Sequence, residues 1–249
     1  MESDYARGYR ELYRRHWWWR AREELLVELI ERTFAPRTDL RILDVGCGSG
    51  LFFDRLARFG TVVGVEPDRA LAEAEPRHRD RIHAGELATF HADAPFDLVL
   101  MLDVLEHITD AADVLARALS LLRDDGRIII TVPAFRALWT HHDVLNRHVT
   151  RYSRPDLAAL VRGAGGRIDS MRYFFHWTFP AKLAVRLLER VRGPAGPERI
   201  PSAPVNRALY RLSRLEQRLA GPLHLPFGTS LLAVVTRAAT AAGNAAAAP

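Results

Sequence analysis

The chain holds two groups of residues that could do chemistry, one of glycines and acids and the other of histidines. In the first group, an apolar run over 41–45 leads into a glycine-rich turn at 46–50, and a second apolar run ends at Glu66. Glycine admits a ligand close to the backbone, and a carboxylate about twenty residues after the first glycine suits the hydroxyls of a ribose. This spacing predicts a site for a nucleoside.

The positions of the glycines distinguish between classes of nucleoside cofactor. A dinucleotide fingerprint that starts at Gly46 needs a glycine where the chain has Leu51. The glycines fall instead at 46, 48 and 50, after Asp44. This Asp-x-Gly-x-Gly-x-Gly sequence resembles the first motif of class I S-adenosylmethionine-dependent methyltransferases, in particular the bacterial small-molecule members of types 11 and 12. The resemblance implies S-adenosylmethionine as the cofactor.

The resemblance also implies which residues hold each part of that cofactor. Asp44 is expected to organise the turn and attract the ammonium group, and Glu66 to accept both ribose hydroxyls. A pair of residues after the third strand is expected to frame the adenine, and the segment 101–108 is similar to the family's fourth motif, beside the methyl group. The expected cofactor-binding residues are Asp44, Gly46, Cys47, Gly48, Glu66, Pro67, Glu86, Leu87, Leu102 and Asp103.

Cys47 is the single cysteine of the chain, so a disulfide framework is excluded. Its place inside the glycine turn favours a small residue that fills the turn over a nucleophile. We therefore expect no covalent chemistry from this thiol.

The N-terminal sequence His-Trp-Trp-Trp-Arg-Ala-Arg at 16–22 lies within a helix predicted over 5–32. It resembles the His-Trp-Trp-Phe-x-x-Arg helix of a bacterial subgroup of these enzymes, and the resemblance implies a cover over the cofactor. Two interpretations of the tryptophans remain open. They either fill the core or face the sulfonium, which a cation–π contact would stabilise.

The histidines are the second group, and they are candidates for moving a proton. Five of them, His107, His141, His142, His148 and His176, lie near the predicted pocket. The densest cluster, 138–152, follows the fifth strand, whose carboxyl end faces the cofactor crevice in a sheet of this kind. It also resembles a Trp-x-x-His-Asp…His-x-x-Arg-Tyr stretch of the same subgroup.

Methyl transfer to a hydroxyl needs a base, and we predict that His142 or His148, oriented by Asp143, takes this proton. His107, at the end of the fourth motif, is the third catalytic candidate. Two alternatives stay open. In the first, the loop serves only to cap the pocket. In the second, the methyl group goes to nitrogen or carbon and no base is needed.

A metal is the alternative way to activate a hydroxyl. Asp103, Glu106 and His107 are spaced i, i+3, i+4, and some ubiquinone-pathway O-methyltransferases carry a similar acid-x-x-Glu-His segment. A divalent ion bound there would lower the pKa of a phenol. We predict no metal, because Asp103 is expected to face the cofactor.

Apolar strand-like runs alternate with helical periodicity along the chain, which predicts an α/β fold. Strands are expected near 41–45, 61–65, 81–84, 96–101, 127–132, 167–175 and 229–236, and helices include 49–58, 68–75 and 111–122, with a turn at 123–126. Together with the resemblance, this predicts a Rossmann-like, seven-stranded, mostly parallel sheet with helices on both faces. The last strand is expected to be antiparallel and to follow a helical insertion.

The expected organisation has four parts. Residues 1–40 form a helical cover, 41–176 and 229–237 the methyltransferase core, 177–228 a helical insertion and 238–249 a disordered, alanine-rich tail. Two helices, about 180–192 and 204–220, are predicted in the insertion, which would act as a lid or face a membrane.

The charge of the chain is concentrated in the insertion. The chain has a formal net charge of +5, and 177–228 contains nine basic and three acidic residues. Nucleic acid is a poor explanation, because a broad basic face with interleaved aromatics is missing. Leucines at helical spacing alternate with these arginines. The helices would therefore pack on their own domain, contact anionic lipid headgroups or bind an acidic substrate.

These observations predict an enzyme that methylates a small molecule, most simply at a hydroxyl oxygen. The alternatives are a cofactor-binding protein of this fold without methyl transfer, and a transfer to nitrogen or carbon. The expected partners are a small-molecule acceptor and, through 177–228, a membrane surface, with no nucleic acid and a monomer or homodimer. No apolar run at the N-terminus is long enough for a signal or spanning helix, which predicts a cytoplasmic location.

Overall fold

The computed structural model describes residues 10–193 and 199–238 of the chain. The strands in this part are β1 (Leu40–Val45), β2 (Gly60–Glu66), β3 (Ile82–Ala84), β4 (Phe96–Leu102), β5 (Leu122–Pro133), β6 (Gly166–Phe174) and β7 (Ser230–Arg237). They form one sheet in the order β3-β2-β1-β4-β5-β7-β6. Only β7 among these strands is antiparallel to its neighbours, β5 and β6.

The helices cover both faces of this sheet. They are α1 (Trp17–Phe34), α2 (Phe53–Leu56), α3 (Arg69–Ala72), α4 (Ala111–Ser120), α5 (His141–Leu145), α6 (Arg154–Gly163), α7 (Thr178–Arg192) and α8 (Ala203–Ala220). The predicted fold class is confirmed, including the antiparallel last strand and the helices before it.

The core divides into two layers, one on each face of the sheet, because side chains alternate along each strand. Val99 and Met101 of β4 face Leu115 of α4 and the apolar side of α6. Leu98 and Leu100 face the other way, where α1 and α2 cover them. Six of the seven residues of β4 are buried, so the strand reads as a continuous apolar run.

Two local predictions were wrong. The helix expected over 49–58 is reduced to α2, because Gly48 and Gly50 adopt positive φ angles and the chain turns until residue 52. The turn expected at 123–126 is part of β5, where the register against β4 shifts between Phe96 and Leu98. Between these two pairs β5 advances from Leu122 to Arg127 while β4 advances only from Phe96 to Leu98, so 123–126 form a bulge within the strand.

The N-terminal helix is interrupted at His16. Residues 10–15 are helical, and α1 begins at Trp17, where the side chain of His16 caps it by accepting from the backbone N–H of Trp18. Asn206 of α8 bridges the break: its amide oxygen accepts from Trp17 N–H at 2.9 Å, and its Nδ2 donates to Arg15 O at 2.7 Å. The segment predicted as an insertion therefore packs against the predicted cover.

Part of the predicted tail, 239–249, and the Pro-Gly-rich joint at 194–198 lie outside the described residues. Ala238, the first residue of that tail, donates its backbone N–H to Gly165 O at 2.9 Å. Within the described residues, no helix has both the length and the apolar character needed to cross a bilayer.

Candidate active site

The glycine turn lies between the carboxyl ends of β1 and β4. Gly46 has φ +68°, and a Cβ there would stand 2.7 Å from Val104 Cγ2, so the turn packs directly on the segment after β4. A Cβ on Gly48, at φ +55°, would meet no described atom within 4 Å. The backbone at Gly48 therefore borders open space, as a close-fitting cofactor requires.

Glu66, at the end of β2, faces this turn. Its Oε2 accepts from Gly48 N–H at 2.8 Å and its Oε1 from Asp68 N–H at 2.9 Å. Burial raises the pKa of Glu66 above its ordinary value, while these two N–H groups oppose that rise. Each oxygen has a second lone pair that can accept a ribose hydroxyl.

Asp44, at the end of β1, is 4% exposed. Burial raises its pKa to about 7, and the charge of Glu66 adds to this effect while Arg22 opposes it. A buried carboxylate with an elevated pKa is stabilised by a cation. The sulfonium and ammonium groups of S-adenosylmethionine are such cations, so the residue fits the predicted cofactor.

The other residues expected around the nucleoside lie where the strands end. Gly85, after β3, donates its N–H to the backbone O of Glu66 at 2.9 Å. This bond brings the segment 85–87 beside Glu66, the residue expected to bind the ribose. Leu87 is buried, whereas Pro67 and Glu86 are exposed at the rim.

Cys47 fills the turn, as predicted from the sequence. A Cβ on Gly64 of β2 would stand only 2.3 Å from Cys47 Sγ, so the sulfur occupies the space that this glycine leaves. Burial raises the pKa of the Cys47 thiol, which keeps it protonated.

Arg22 of α1 is the main residue of the site that the sequence did not single out. Arg22 is 3% exposed, and its Nη2 lies 2.6 Å from Asp103 Oδ2 and 3.3 Å from Thr131 Oγ1. The rings of Trp18 and Trp19 lie 5.5 and 5.3 Å from the guanidinium carbon. Its place in the His-Trp-Trp-Trp-Arg-Ala-Arg sequence was the available signal, but the partner lies 81 residues away.

The three tryptophans mainly build the packing under the N-terminal helix. Trp17 contacts Phe175 and Trp177 at centroid distances of 5.9 and 5.3 Å, and Trp18 contacts Phe175 at 5.6 Å. Trp18 and Trp19 meet edge to face at 4.9 Å. In this arrangement the cation beside the indole rings is Arg22.

The second group of predicted residues forms beside the first, along the segment after β4. Asp103 has φ +57°, and a single helical turn over Leu105–His107 follows. Glu106 O accepts from Val149 N–H at 2.7 Å, which ties this turn to the histidine-rich loop. The rings of His107 and His148 consequently meet edge to face with centroids 4.7 Å apart.

Asp143 holds this loop together. Its Oδ1 lies 2.8 Å from His148 Nδ1 and 2.7 Å from Arg151 Nε, and its Oδ2 accepts from Thr140 N–H at 2.9 Å. Burial alone would raise the pKa of Asp143, but hydrogen bonds from His148 and Arg151 bring it well below the ordinary value. Asp143 therefore stays an anion that orients His148.

The remaining histidines are not in this contact. His142 Nε2 lies 3.0 Å from Asn146 Nδ2, one turn along the same helix, and His141 donates its backbone N–H to Glu189 of α7. His176 Nδ1 lies 2.9 Å from Glu216 of α8. Of the three predicted catalytic histidines, the structure brings the rings of His107 and His148 together, whereas the ring of His142 lies against Asn146.

Glu106 is a buried acid without a visible partner. Glu106 is 1% exposed, and neither of its carboxylate oxygens has a hydrogen-bond partner among the described residues. Burial, with the charge of Asp103, raises the pKa of Glu106 well above its ordinary value. Ligand atoms of Glu106, His107 and His148 all lie within 4.8 Å of one another. This set differs from the one the sequence suggested, because Asp103 turns to Arg22 and His148 takes its place.

Comparisons with known proteins agree with this geometry. A family profile described as a methyltransferase domain matches residues 18–170. Over 99 residues the chain is 34% identical to a ubiquinone biosynthesis O-methyltransferase of Bradyrhizobium diazoefficiens, and over 110 residues 37% identical to that of Azorhizobium caulinodans. These matches cover 37% and 40% of this chain, and 39% and 43% of the relatives. The alignment thus spans about two fifths of each relative's length.

Solved structures share the fold at lower identity. A chain from the complex of the Haloferax volcanii Trm112 methyltransferase activator with a methyltransferase aligns with TM-score 0.61 at 15% identity, covering 95% of this chain and 96% of that one. A methyltransferase of Clostridium acetobutylicum aligns with TM-score 0.58 at 12% identity, covering 95% and 98%. Since the family profile covers more than half of the sequence, the protein belongs to the class I S-adenosylmethionine-dependent methyltransferases.

Proposed function

We propose that this enzyme transfers a methyl group from S-adenosylmethionine to a hydroxyl oxygen of a small molecule, with His148 as the general base. The observation that carries the proposal is the hydrogen bond between Asp143 and His148, at 2.8 Å. Through this bond the buried carboxylate of Asp143 holds the His148 ring against His107, in the segment that packs on the glycine turn.

The cofactor supplies an electrophilic methyl group, and the residues of the chain position it. Asp44 and Glu66 would hold the ammonium and ribose ends, and Gly48 leaves room for the sugar. Arg22 is a buried cation beside Asp44 that can pair with the cofactor's carboxylate. The acceptor must then lie in line with the methyl and the sulfur, on the side of the 103–107 segment.

His148 suits the role of base because Asp143 fixes the orientation of its ring. When Nδ1 donates to the Asp143 carboxylate, Nε2 is left as the acceptor for a hydroxyl proton. His107 is the second base in reach, because partial desolvation and the neighbouring His148 lower its pKa and keep it neutral near pH 7. His142 remains a weaker candidate, since Asn146 occupies its Nε2.

Oxygen as the acceptor atom is supported by the curated relatives, whose names describe O-methylation in ubiquinone biosynthesis. The alignments cover less than half of the length of those proteins. We therefore propose the class of acceptor, a phenolic or similarly acidic hydroxyl, and not its identity. We also propose that the enzyme is cytoplasmic and acts on a small-molecule acceptor and not on nucleic acid.

A divalent cation is the second candidate for activating the hydroxyl. Glu106, His107 and His148 offer one carboxylate and two imidazoles, and the unpartnered oxygens of Glu106 fit a bound cation. These residues would hold the ion, which would lower the pKa of a bound phenol. The first proposal needs no ion.

The test is methyl transfer from radiolabelled cofactor to a panel of phenols and catechols, followed by identification of the methylated atom by NMR. His148→Ala should lower turnover by roughly 10²-fold or more while calorimetry shows unchanged cofactor binding. His91→Ala, at an exposed histidine bonded only to the Thr89 carbonyl among described groups, is the matched control and should behave as wild type.

Other outcomes identify the alternatives. Wild-type turnover in His148→Ala would overturn the base proposal, and a label on nitrogen or carbon would replace oxygen as the acceptor. Loss of activity with a chelator, and recovery with Mg²⁺, would favour the cation. A protein that binds cofactor but labels no acceptor would favour another reaction on this fold, as in the [4+2]-cyclase SpnF, which aligns with TM-score 0.54 at 16% identity over 86% of this chain and 80% of that one.

A further inference from the structure

Helix α8 buries its polar side and exposes its apolar side, which is the reverse of an ordinary surface helix. Its polar residues Asn206, Ser213 and Gln217 are buried and recur at intervals of seven and four residues, on the side that faces the domain. Gln217 donates to Ala21 O of α1 at 3.1 Å, and Ser213 Oγ accepts from Trp177 Nε1 at 3.2 Å. Hydrogen bonds from this polar side, together with Tyr210, which packs against the core layer under α1, seat the helix on the protein.

The apolar residues of α8 consequently face outward. Val205, Leu212 and Leu219 recur at intervals of seven, and Leu215 lies between them on the same side. All four are exposed, Leu219 at 65%. An amphipathic helix normally buries this stripe.

Helix α7 shows the same inversion. Arg186 donates to Arg136 O at 3.1 Å, and Glu189 accepts from His141 N–H at 3.0 Å, so the charged stripe faces the domain. Leu187, Leu188 and Val191 lie on the other side at 52%, 49% and 84% exposure. No residue of α7, which lies wholly within the described chain, is buried.

The charges around these two apolar faces have one sign. The two acids of the described segment, Glu189 and Glu216, both bond to the domain, the second through the N–H groups of His176 and Trp177 at 2.9 Å. The exposed charged residues of the two helices are arginines, Arg190, Arg192, Arg207, Arg211 and Arg218. Leucines flanked by arginines, with the acids withdrawn, are complementary to an anionic bilayer surface.

We propose that α7 and α8 form a docking face for the surface of an anionic membrane. The apolar side chains would enter the boundary between headgroups and acyl chains, and the arginines would contact lipid phosphates. A second copy of the chain is a poorer occupant, because a symmetric contact would place two sets of arginines against each other.

This face lies next to the proposed acceptor site. Arg186 also donates to Ala137 O, and Glu189 bonds to the first residue of α5, the helix that carries Asp143. Docking through α7 therefore brings the histidine-rich loop to the bilayer surface. Membrane docking does not require the proposed base, and it is measured without an activity assay.

The experiment is co-sedimentation of the full chain with vesicles of phosphatidylglycerol and phosphatidylcholine, compared with vesicles of phosphatidylcholine alone. Wild type should bind the anionic vesicles and lose that binding as salt is raised. The triple variant Leu187→Gln, Leu215→Gln, Leu219→Gln should lower the partition coefficient by about tenfold or more. Circular dichroism and cofactor calorimetry should be unchanged, because these side chains are exposed.

A charge-matched pair of variants separates this face from general basicity. Arg207→Gln, Arg211→Gln, Arg218→Gln should weaken anionic-vesicle binding about as strongly as the leucine variant. The control triple, Arg69→Gln, Arg79→Gln, Arg162→Gln, removes the same charge from exposed positions of the core and should bind like wild type.

Three results would overturn the proposal. The first is equal binding by both arginine variants, and the second is no binding by wild type. The third is a wild-type dimer in analytical ultracentrifugation that the leucine variant converts to monomer, since a second copy would then cover the face. If the leucine variant unfolds, the arginine pair and the salt titration decide the question.

Discussion

Arg22 and Asp103 form an ion pair, with 2.6 Å between Nη2 and Oδ2, that joins the N-terminal helix to the segment following β4. The two residues belong to different layers of the fold, and Arg22 also acts electrostatically on Asp44 at the start of the glycine turn. The side chain of Arg22 is almost fully buried, whereas a fifth of the Asp103 side chain is exposed to solvent. Removing one partner of such a pair leaves the other charge uncompensated.

We predict that Arg22→Met weakens the binding of S-adenosylmethionine by about tenfold or more, because a buried cation that can pair with the cofactor's carboxylate is lost. Arg22→Lys should fall between the variant and wild type, since an ammonium lacks the planar fork of a guanidinium. Isothermal calorimetry measures both. Arg20→Met is the matched control at an exposed position of the same helix, where the guanidinium lies over Tyr210. Equal affinity in all four proteins would contradict the role of Arg22.

We predict that cofactor affinity rises with pH through Asp44. Because burial raises the pKa of this acid to about 7, a cationic ligand must displace a proton from it at lower pH. Affinity should therefore increase by up to about tenfold for each unit of pH below 7 and level off above it. Calorimetry between about pH 6 and pH 8.5 tests this, and Asp44→Asn should bind weakly with no such slope. A wild-type affinity independent of pH would count against the assignment.

We predict that Asp143→Asn destabilises the fold by roughly 3 kcal/mol near neutral pH, because it leaves buried Arg151 without its anion. The pKa of Asp143 is lower in the folded state than in the unfolded state, so its contribution is complete above about pH 4 and is lost as pH falls further. Urea unfolding at neutral and acidic pH should show the two proteins converging in acid. A constant difference at every pH would mean that charge is not what Asp143 contributes.

We predict that Gly64→Ala costs about 1–3 kcal/mol and weakens cofactor binding, because the new methyl group would stand 2.3 Å from Cys47 Sγ. Adding Cys47→Ala should recover part of the loss, since it removes the sulfur but leaves Phe53 Cζ at 2.8 Å from the same methyl. The double variant is compared with each single variant by thermal unfolding. Strict additivity would show that the two residues do not share this space.

The cofactor side of the site could be predicted because its residues are fixed by short-range order. Asp44, Gly46 and Gly48 lie on one turn, and Glu66 ends the next strand in a parallel pair with it, so their meeting follows from the fold. The strand pattern was informative for the same reason, since each central strand is buried on both faces.

The catalytic side depended on loop shape, which spacing alone does not determine. Asp143 lies one residue from His142 and five from His148, yet its carboxylate bonds to the more distant ring because Val149 is tied to the backbone of Glu106. The ion pair of Arg22 with Asp103 connects residues that no local pattern relates. The leucine stripe of α8 was visible as periodicity, but its direction was not, because buried hydrogen bonds decide which side faces the domain.

The amide of Asn206 completes the backbone hydrogen bonding at the break before α1, with one bond to each side of His16. Pulling α8 away from the domain would strand a backbone donor, a backbone acceptor and the amide itself, a cost that buried polar groups avoid. The N-terminal helix, with Arg22 on its second turn, and α8 are therefore joined at this break as well as at Ala21, whose carbonyl accepts from Gln217. We therefore expect a displacement of α8 to shift the helix that carries Arg22, although 184 positions separate Arg22 from Asn206.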